Sequence, residues 1–433
     1  MLNSGGLDHA AGPGCSDTGC APTTDLCETW DAFDRGSIHP VERSAARDNW
    51  FYPSDIENDL KGVDLPDEFI AETLACAWEY TRCVIPNFTN WHRYIAFTRI
   101  VVIGIIAEFR GELVDVTASG NILGYDLDEL LDSVFTGTPG HEEMAREYRA
   151  FLLITAEKSS HRLTSDLFRR YVNALAQSPK NWFRLRDCDA LVRFTMAAAL
   201  ACNDFDDMWF SEDEWEILAE LGDTLYDAVA FHKHRAEGET NSTFAYAGPE
   251  LRRECYRRCR EILWALDVAW ARAPENQCVI NFLRYFGGPI HMMMRRYRFV
   301  EEDLTIGKPE TEHVVAQTRQ NVKLWNRVDA TEKKGVQSQS ARYTDVITQS
   351  SKLMFPGLRD MLESAADGHC YRCHYRLSYG AEASGRFGGV ELCDCCREKW
   401  RTYLEAFPAR AVEVFPILWS RWPTPNGSDT MDQ

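Results

Sequence analysis

The stretch Tyr94–Asp115 reads YIAFTRIVVIGIIAEFRGELVD and contains the longest apolar run of the chain. Residues 100–106 are all aliphatic apart from Gly104, a pattern that predicts a helix buried on nearly all sides. No apolar run reaches the roughly 18–20 residues that a membrane-spanning helix needs. We therefore expect a soluble, cytoplasmic protein without a membrane span.

Acidic residues close this apolar stretch. Glu108 and Glu112 are four positions apart, so on a continued helix their carboxylates would share one face, with Asp115 at the next step. Like charges repel, and such a cluster makes sense where a divalent cation sits between the carboxylates. The alternative, a helix end whose acids face water, stays open at this point.

The rest of the chain repeats apolar residues every three or four positions, which predicts an all-α fold. No alternating pattern predicts a strand before residue 375, and no fixed-period repeat indicates a solenoid. The predicted helices are 67–85, 89–116, 139–158, 161–177, 188–209, 211–236, 248–272, 275–302, 309–328 and 340–365. The predicted organisation is a disordered leader (1–48), a helical domain (49–366), a cysteine-rich module packed on the helical body (367–420) and a disordered tail (421–433).

The composition excludes some functions. The formal net charge is −19, which argues against a nucleic-acid-binding surface or attachment to an anionic membrane. The 13 tryptophans fit an aromatic-lined cavity, and a densely packed helical core explains them equally well. Cysteines such as Cys76 and Cys202 lie singly in apolar helical patterns, where reduced thiols behave as small hydrophobic groups.

The firmest motif is in residues 370–396, CYRCHYRLSYGAEASGRFGGVELCDCC. Two CxxC pairs, Cys370/Cys373 and Cys393/Cys396, predict a structural Zn²⁺ site with four thiolate ligands. Spare donors that can replace one of them are His369, His374 and Cys395. The alternatives are a redox-active cysteine pair and thiols that are not linked through a metal ion.

Three further segments combine charges in a way that suits a metal-bound polyanion. Segment 222–243 carries Asp223 and Asp227 on one helix face, followed by bases and more acids. Segment 295–299, RRYRF, sets Arg296 and Tyr297 behind an apolar run, where an oxyanion site or a surface helix with Arg–Glu pairs fits. Segment 181–187, NWFRLRD, adds Arg184 and Arg186, which can also simply extend along the surface.

The order and spacing of these segments resemble class I terpene synthases. In that family an acidic motif and a later Asn/Ser/Glu motif hold magnesium against a prenyl diphosphate, which a sensor arginine and an Arg-Tyr pair also bind. EFRGE at 108–112 stands at the acidic motif, YDAVAFHKH at 226–234 at the second motif, Arg184 at the sensor, and Arg296-Tyr297 at the pair. The resemblance implies a bundle of the same type.

The second motif departs from this pattern. Tyr226, Ala230 and His234 stand at its usual metal-ligand positions, and an alanine cannot bind magnesium. Either neighbouring acids take over, namely Asp223, Asp227, Glu237 and Glu239, or fewer metals are used.

Longer strings, including WEYTRCVIPNFTNWHRYIAF, LYDAVAFHKHRAEGETNSTFAY and GGPIHMMMRRYRFVEE, are similar to an atypical branch, the fungal α-ionylideneethane synthases of abscisic acid biosynthesis. This resemblance covers about residues 49–415. It implies a sesquiterpene synthase that takes farnesyl diphosphate, releases diphosphate and forms a cyclohexenyl diene hydrocarbon. It also implies Mg²⁺ as cofactor and oxidising enzymes downstream as candidate partners.

The resemblance implies the following site. The predicted catalytic residues are Glu108, Glu112, Asp227, Lys233, Arg296 and Tyr297. The predicted substrate-binding residues are Arg184, His234, Glu237, Asn241, His291 and Trp91. The predicted magnesium ligands are Glu108, Glu112, Asp115 and Asp223. Candidate bases are His232, His234 and His291, candidate cation-facing aromatics are Trp91, Phe97 and Phe231, and Asp204 and Asp207 are further acids that fit metal binding or capping.

Two other functions compete with this one. A non-catalytic helical scaffold with a zinc-knuckle protein-interaction tail fits the broken metal motif, but it does not explain an acidic helix end, a basic helix end and an Arg-Tyr pair in family order. A chain-elongating prenyltransferase would need two aspartate-rich motifs, and the chain has neither.

Overall fold

Helices make up most of the computed structural model, which describes residues 50–118, 120–159, 165–237, 242–245, 249–290, 339–367, 370–375 and 390–418. In the helical body they are α1 (Asp67–Val84), α2 (Trp91–Ala107), α3 (Leu127–Phe135), α4 (His141–Ser159), α5 (Asp166–Gln177), α6 (Pro179–Ala190), α7 (Val192–Cys202), α8 (Glu212–Glu237), α9 (Pro249–Ala269), α10 (Pro274–Phe286), α11 (Gln339–Thr348), α12 (Ser350–Leu353) and α13 (Leu358–Asp367). Near the C-terminus follow α14 (Asp394–Glu405) and α15 (Phe407–Val414). The prediction of an all-α fold is confirmed.

Short elements complete the described chain. Antiparallel strands β1 (Asn121–Ile122) and β2 (Tyr125–Asp126) form a hairpin, which the sequence prediction missed. Strands β3 (His374–Tyr375) and β4 (Val390–Glu391) form a second antiparallel pair in the cysteine-rich module. Four 3₁₀ turns lie at Ser54–Ile56, Gly111–Leu113, Thr243–Ala245 and Pro416–Leu418.

Helix α2 is the buried helix that the apolar run predicts. The side chain of Asn90 accepts a hydrogen bond from the backbone N–H of Arg93, which caps the first turn. Nearly all of the helix is buried, including its aliphatic run. Gly104 allows α4 to approach closely, because an added Cβ would lie 3.3 Å from the ring of Phe151.

The predicted helix 188–209 is wrong, since two helices and a loop occupy its length. Leu191 adopts a left-handed conformation, with φ 57°, which ends α6. Asp187 of α6 then accepts a hydrogen bond from the backbone N–H of Arg193 at 2.9 Å and so caps the start of α7. Helix α7 ends at Cys202, just before Asp204, another residue with positive φ.

Other helix predictions differ in their bounds. The region predicted as 340–365 forms three helices, α11 to α13, and α3, α14, α15 and all of α6 before residue 188 were not predicted. The predicted helix 309–328, the leader 1–48 and the tail 421–433 lie outside the described residues, as does the part of 275–302 beyond residue 290.

Aromatic side chains fill the core of the helical body. Phe194 of α7 stands between Phe97 of α2 and Tyr148 of α4, with ring centroids 6.4 Å and 5.2 Å away. Trp182 and Trp215 are among the largest fully buried side chains. For these residues the packed-core explanation of the aromatic content applies.

Candidate functional site

Three central helices run in the same direction. At the start of α2, Arg93 donates a hydrogen bond to the carbonyl of Thr136, just before α4. Beyond the other end of α2, Asp115 binds Arg342, which also binds Glu157 near the end of α4. Arg193 pairs with the first turn of α4 through Glu143, at 3.5 Å, and with the first turn of α8 through Glu212, at 2.7 Å. Further along, Arg186 joins Asp227 of α8 to Asp189, and Asp189 lies 3.5 Å from the hydroxyl of Thr155 in α4. Helices α2, α4 and α8 therefore run towards the same end of the bundle.

The acidic motif at that end differs from its prediction. Helix α2 ends at Ala107, and Glu108 is its capping residue, so the predicted helix 89–116 is too long. Glu112 lies in the separate 3₁₀ turn Gly111–Leu113, where it is exposed and pairs with Arg110. The predicted common helix face of Glu108 and Glu112 is therefore wrong. Phe109 packs into the core, and Gly111, a poor helix former, follows in the turn.

A cluster of two carboxylates and one guanidinium lies at the same end. Arg342 of α11 donates from Nε to Oε1 of Glu157 at 2.6 Å and from Nη1 to Oδ2 of Asp115 at 3.2 Å. Glu157 is 0% exposed, and Asp115 is half-buried. Burial alone would raise the pKa of Asp115, but hydrogen bonds from Thr117 and the charge of Arg342 lower it. Asp115 is therefore held as a carboxylate.

Sequence reasoning missed Glu157 and Arg342. Glu157 follows the apolar stretch AFLLITA of α4, and an acid in such a stretch is a signal of the kind read at Glu108. Arg342 begins the dipeptide Arg342-Tyr343, a second Arg-Tyr pair beside the one predicted at 296–297. What the sequence does not show is that α11 lies across the ends of α2 and α4.

A second buried network joins α6 to α8. Arg186 is 3% exposed and donates to both oxygens of Asp227, with Nη2–Oδ1 at 2.7 Å, and from Nη1 to Asp189 at 2.8 Å. Asp227 also accepts the backbone N–H of Thr243 at 2.8 Å, and Asp189 accepts from Tyr171 at 3.3 Å. Asp227, predicted to be catalytic, is thus bound to a buried arginine.

Asp223 lies one turn before Asp227 on α8 and is 0% exposed. Neither of its carboxylate oxygens has a hydrogen-bond partner within the described ranges. Burial raises the pKa of Asp223 well above its ordinary value, against the opposing charge of Arg186. This is the environment of a protonated acid, so magnesium binding by Asp223 would first require loss of that proton.

Arg184, predicted to sense diphosphate, is engaged in the interior. It forms ion pairs with Glu147 and, at 3.4 Å, with Asp187, and its guanidinium lies 3.5 Å from the centre of the Phe355 ring. Burial would lower the pKa of Arg184, but the neighbouring carboxylates raise it. In this arrangement Arg184 ties α6 to α4.

Other predicted site residues are spread over the body. Trp91 is the first residue of α2, so the 17-residue helix separates it from Glu108 by about 25 Å. Its indole N–H donates to Asp55 at 3.1 Å. Phe97 is buried in the core, and Phe231 lies beneath the guanidinium of Arg252, 4.6 Å from its ring centre.

The two further acids are surface groups. Asp204 is exposed and accepts hydrogen bonds from Thr89 at 2.7 Å and Asn90 at 2.9 Å, and Asp207 is exposed. For Asp204 the capping alternative therefore applies. Several predicted residues cannot be placed, because their side chains or whole residues lie outside the described part of the chain: His232, Lys233, His234, Glu237, Glu239, Asn241, His291, Arg296 and Tyr297.

The four predicted cysteines meet in one cluster. The Sγ atoms of Cys370, Cys373, Cys393 and Cys396 all lie within 4.8 Å of one another. Cys370 and Cys393 are 3.9 Å apart, close to the separation of about 3.8 Å expected between thiolates around a tetrahedral zinc ion with Zn–S bonds of about 2.3 Å. A hydrogen bond from the backbone N–H of Arg372 lowers the pKa of Cys370 to about 7, which favours its thiolate. The cluster can hold a metal ion, as predicted.

Comparison with known proteins places this arrangement in a family. A family model described as "Alpha-ionylideneethane synthase aba3" matches residues 48–417. The chain belongs to the alpha-ionylideneethane synthase family. A relative from Botryotinia fuckeliana (strain B05.10), "Alpha-ionylideneethane synthase aba3", is 66% identical over 379 residues, which cover 88% of this chain and 86% of the relative.

Two further members of the alpha-ionylideneethane synthase family are similar over comparable lengths. "Alpha-ionylideneethane synthase abl3" of Leptosphaeria maculans is 60% identical over 86% of this chain and 87% of its own length. The protein of the same name from Pyricularia oryzae (strain Y34) is 52% identical over 87% of this chain and 85% of its own. The sequence predictions of this family and of an enzyme of the terpene synthase type are therefore confirmed. Among the described helices, none has the length and apolarity to cross a membrane.

Proposed function

We propose that this protein converts farnesyl diphosphate to α-ionylideneethane or a related hydrocarbon, with release of diphosphate and loss of a proton. The observation that carries the proposal is the cluster of Asp115, Glu157 and Arg342 at the end of the bundle towards which α2, α4 and α8 point, in a member of this family. It combines carboxylates, which suit a divalent cation, with a guanidinium, which suits phosphate oxygens.

The donor set at this end fits Mg²⁺. Glu108, Glu112 and Asp115 remain the proposed ligands, and we add Glu157, whose carboxylate is fully buried and held by a guanidinium. When bound, magnesium supplies positive charge that stabilises the leaving diphosphate. The chain's own cations do the same work, and Arg342 and Arg110 are described at this end.

The remaining predicted residues complete this proposal. Lys233, Arg296 and Tyr297 would bind diphosphate beside Arg342, and His234, Glu237, Asn241 and His291 would contact substrate or accept the proton. Asp227, held by Arg186, would keep α8 in place behind them. Trp91, at the far end of α2 and about 25 Å from Glu108, is too distant for a farnesyl chain bound at this end and is not retained as a substrate contact.

The test is a product assay. Purified protein is incubated with farnesyl diphosphate and Mg²⁺, extracted with hexane and analysed for hydrocarbons by gas chromatography with mass spectrometry. We expect a cyclic C15 hydrocarbon that requires the metal. Arg342→Ala should lower kcat/KM about 10²–10³-fold, because one donor to the developing charge is lost. Arg359→Ala, which removes an exposed pair with Glu363, is the matched control.

Two results would count against the assignment. Wild-type activity in both Glu108→Gln and Glu157→Gln would remove the proposed metal ligands. Absence of hydrocarbon, together with no rise in melting temperature on adding inorganic diphosphate and Mg²⁺, would instead favour the non-catalytic scaffold, since a ligand that binds only the native state must stabilise it.

A further inference from the structure

Glu220 of α8 is a buried acid whose hydrogen-bond partners, among the described residues, come from the C-terminal helices. The residue is 3% exposed, and Arg410 of α15 binds both of its oxygens, Nη2–Oε1 at 2.7 Å and Nη1–Oε2 at 2.8 Å. The hydroxyl of Tyr403 of α14 donates to Oε2 at 2.9 Å. A carboxylate buried away from water needs such partners, so the stable burial of Glu220 on α8 depends on α14 and α15.

Arg410 is itself held in place by the C-terminal helices. Its guanidinium lies 3.9 Å from the centre of the Tyr403 ring and donates to the Tyr403 carbonyl at 3.3 Å. The Tyr403 ring stacks on Phe183 of α6, with centroids 5.9 Å apart. The contacts with Tyr403 therefore hold the Arg410 side chain in the conformation that binds Glu220, and forming the ion pair costs little side-chain entropy.

The cysteine cluster fixes the other end of α14. Cys393 caps this helix, and Cys396 lies in its first turn, with its thiol 3.7 Å from the carbonyl of Ala176 in α5. Tyr403 is two turns further along the same helix. A rigid path thus leads from the four thiols through α14 to Tyr403 and Arg410, and from there to Glu220.

We propose that Arg410 and Tyr403 are positioning residues for the reaction, because they fix the position of α8 along its axis and its rotation about that axis. Asp223 and Asp227 lie one and two turns after Glu220 on α8, which then runs towards the end that carries Asp115 and Glu157. The inference rests on the proposed function. It extends that function by making the metal-binding module a working part of the synthase.

Kinetics of Arg410→Ala test the proposal. We expect kcat for hydrocarbon formation to fall at least about tenfold, since a displacement of about 1 Å in catalytic groups is enough for such an effect. KM should change less than kcat, and Arg410→Lys should recover part of the loss. Arg401→Ala, which breaks an exposed pair with Glu398 on α14, should leave kcat and KM unchanged.

Glu220→Gln in the Arg410→Ala background is the second variant. Because it removes the unpaired buried carboxylate, it should recover stability and part of kcat, and the two substitutions should be non-additive. Metal analysis of each variant should give the wild-type zinc content. A lower melting temperature with wild-type kcat, measured well below unfolding, would reduce the contact to a purely structural one and overturn the proposal.

Hydrogen–deuterium exchange provides a readout without substrate, so the proposal can fail separately from the proposed function. Amides of α8 around residues 220–231 should exchange faster in Arg410→Ala, and those of α2 should not. Unchanged exchange in α8 would overturn the proposal even if the enzyme makes the expected hydrocarbon. Faster exchange with an inactive wild type would overturn the proposed function and leave the control of α8 by Arg410 in place.

Discussion

Arg186 is a positive charge in the interior that is matched by more than one carboxylate. Asp227 and Asp189 bind it directly, and Asp223 interacts with it electrostatically. Among the described residues one guanidinium faces three nearby carboxylates, which favours a proton on one of them. Asp223 is the site for it, because its oxygens lack hydrogen-bond partners among the residues described.

Asp223→Asn tests where that proton is. The unfolded chain releases the Asp223 proton near the ordinary pKa of 3.8, whereas the folded protein retains it to higher pH. Stability due to this group is complete below pH 3.8 and falls as the pH rises towards the raised value, by about 1.4 kcal/mol per pH unit. Urea unfolding should therefore show wild type losing stability relative to Asp223→Asn as the pH rises above 4. Parallel curves would contradict the assignment, and Asp360→Asn on the exposed surface is the control.

Arg186→Met should be strongly destabilising, by about 3–5 kcal/mol, because it leaves Asp227 and Asp189 buried without their cation. Denaturant unfolding followed by circular dichroism measures the loss. The double variant Arg186→Met/Asp227→Leu should regain part of it. Arg257→Ala, which breaks exposed pairs with Glu254 and Glu261, should change little.

Site prediction from the sequence worked where spacing alone defines the geometry. The two CxxC pairs predicted the thiol cluster, because such a pair places two donors on one turn. Site prediction failed for contacts between residues that are distant in sequence. Arg342 and Glu157 meet although 185 positions separate them, and no local pattern contains that contact.

At the scale of helices, existence was easier to predict than ends. Buried helices such as α2 can be predicted from their apolar composition, whereas their ends depend on what the following residues pack against. Helix α2 stops because Phe109 turns into the core, and α6 stops because Leu191 takes the left-handed conformation. Neither event has a proline or a glycine at the break that would mark it in the sequence.

The start of α4 offers a prediction at this scale. A Cβ added at Gly140 would lie 1.9 Å from the ring of Trp209, so Gly140→Ala must displace the indole or the helix start. We expect a loss of about 1–3 kcal/mol in the free energy of unfolding. Gly288→Ala is the matched control, since a Cβ there meets nothing within 4 Å. Equal stability of the two variants would show that the Trp209 loop adapts without cost.

At the scale of the whole molecule, the cysteine-rich module and the helical body form a shared interior. Phe183 of α6 contacts both Trp400 and Tyr403 of α14, and Trp270, just after α9, contacts Phe415, just after α15. These aromatic contacts join the packing of the module to that of the helical body. We therefore expect that loss of a metal ion from the four-cysteine cluster would destabilise the helical body as well.

Metal removal tests this coupling. Treatment with a strong zinc chelator, or the substitution Cys393→Ser, should lower the melting temperature by about 5 °C or more, because a ligand bound only to the native state is lost. Cys395→Ser is the matched control, since Cys395 is exposed and outside the cluster. A protein that retains its melting temperature after complete metal loss would show that protein contacts alone hold the module.

The common direction of α2, α4 and α8 has an electrostatic consequence. Each helix carries a partial negative charge at its carboxyl end, because its peptide dipoles are aligned along the helix axis. The parallel arrangement sums these dipoles at the end where Asp115 and Glu157 lie. Together with these carboxylates the dipoles favour binding of small cations at this end, so we expect an order of addition in which the divalent ion enters first or together with the diphosphate.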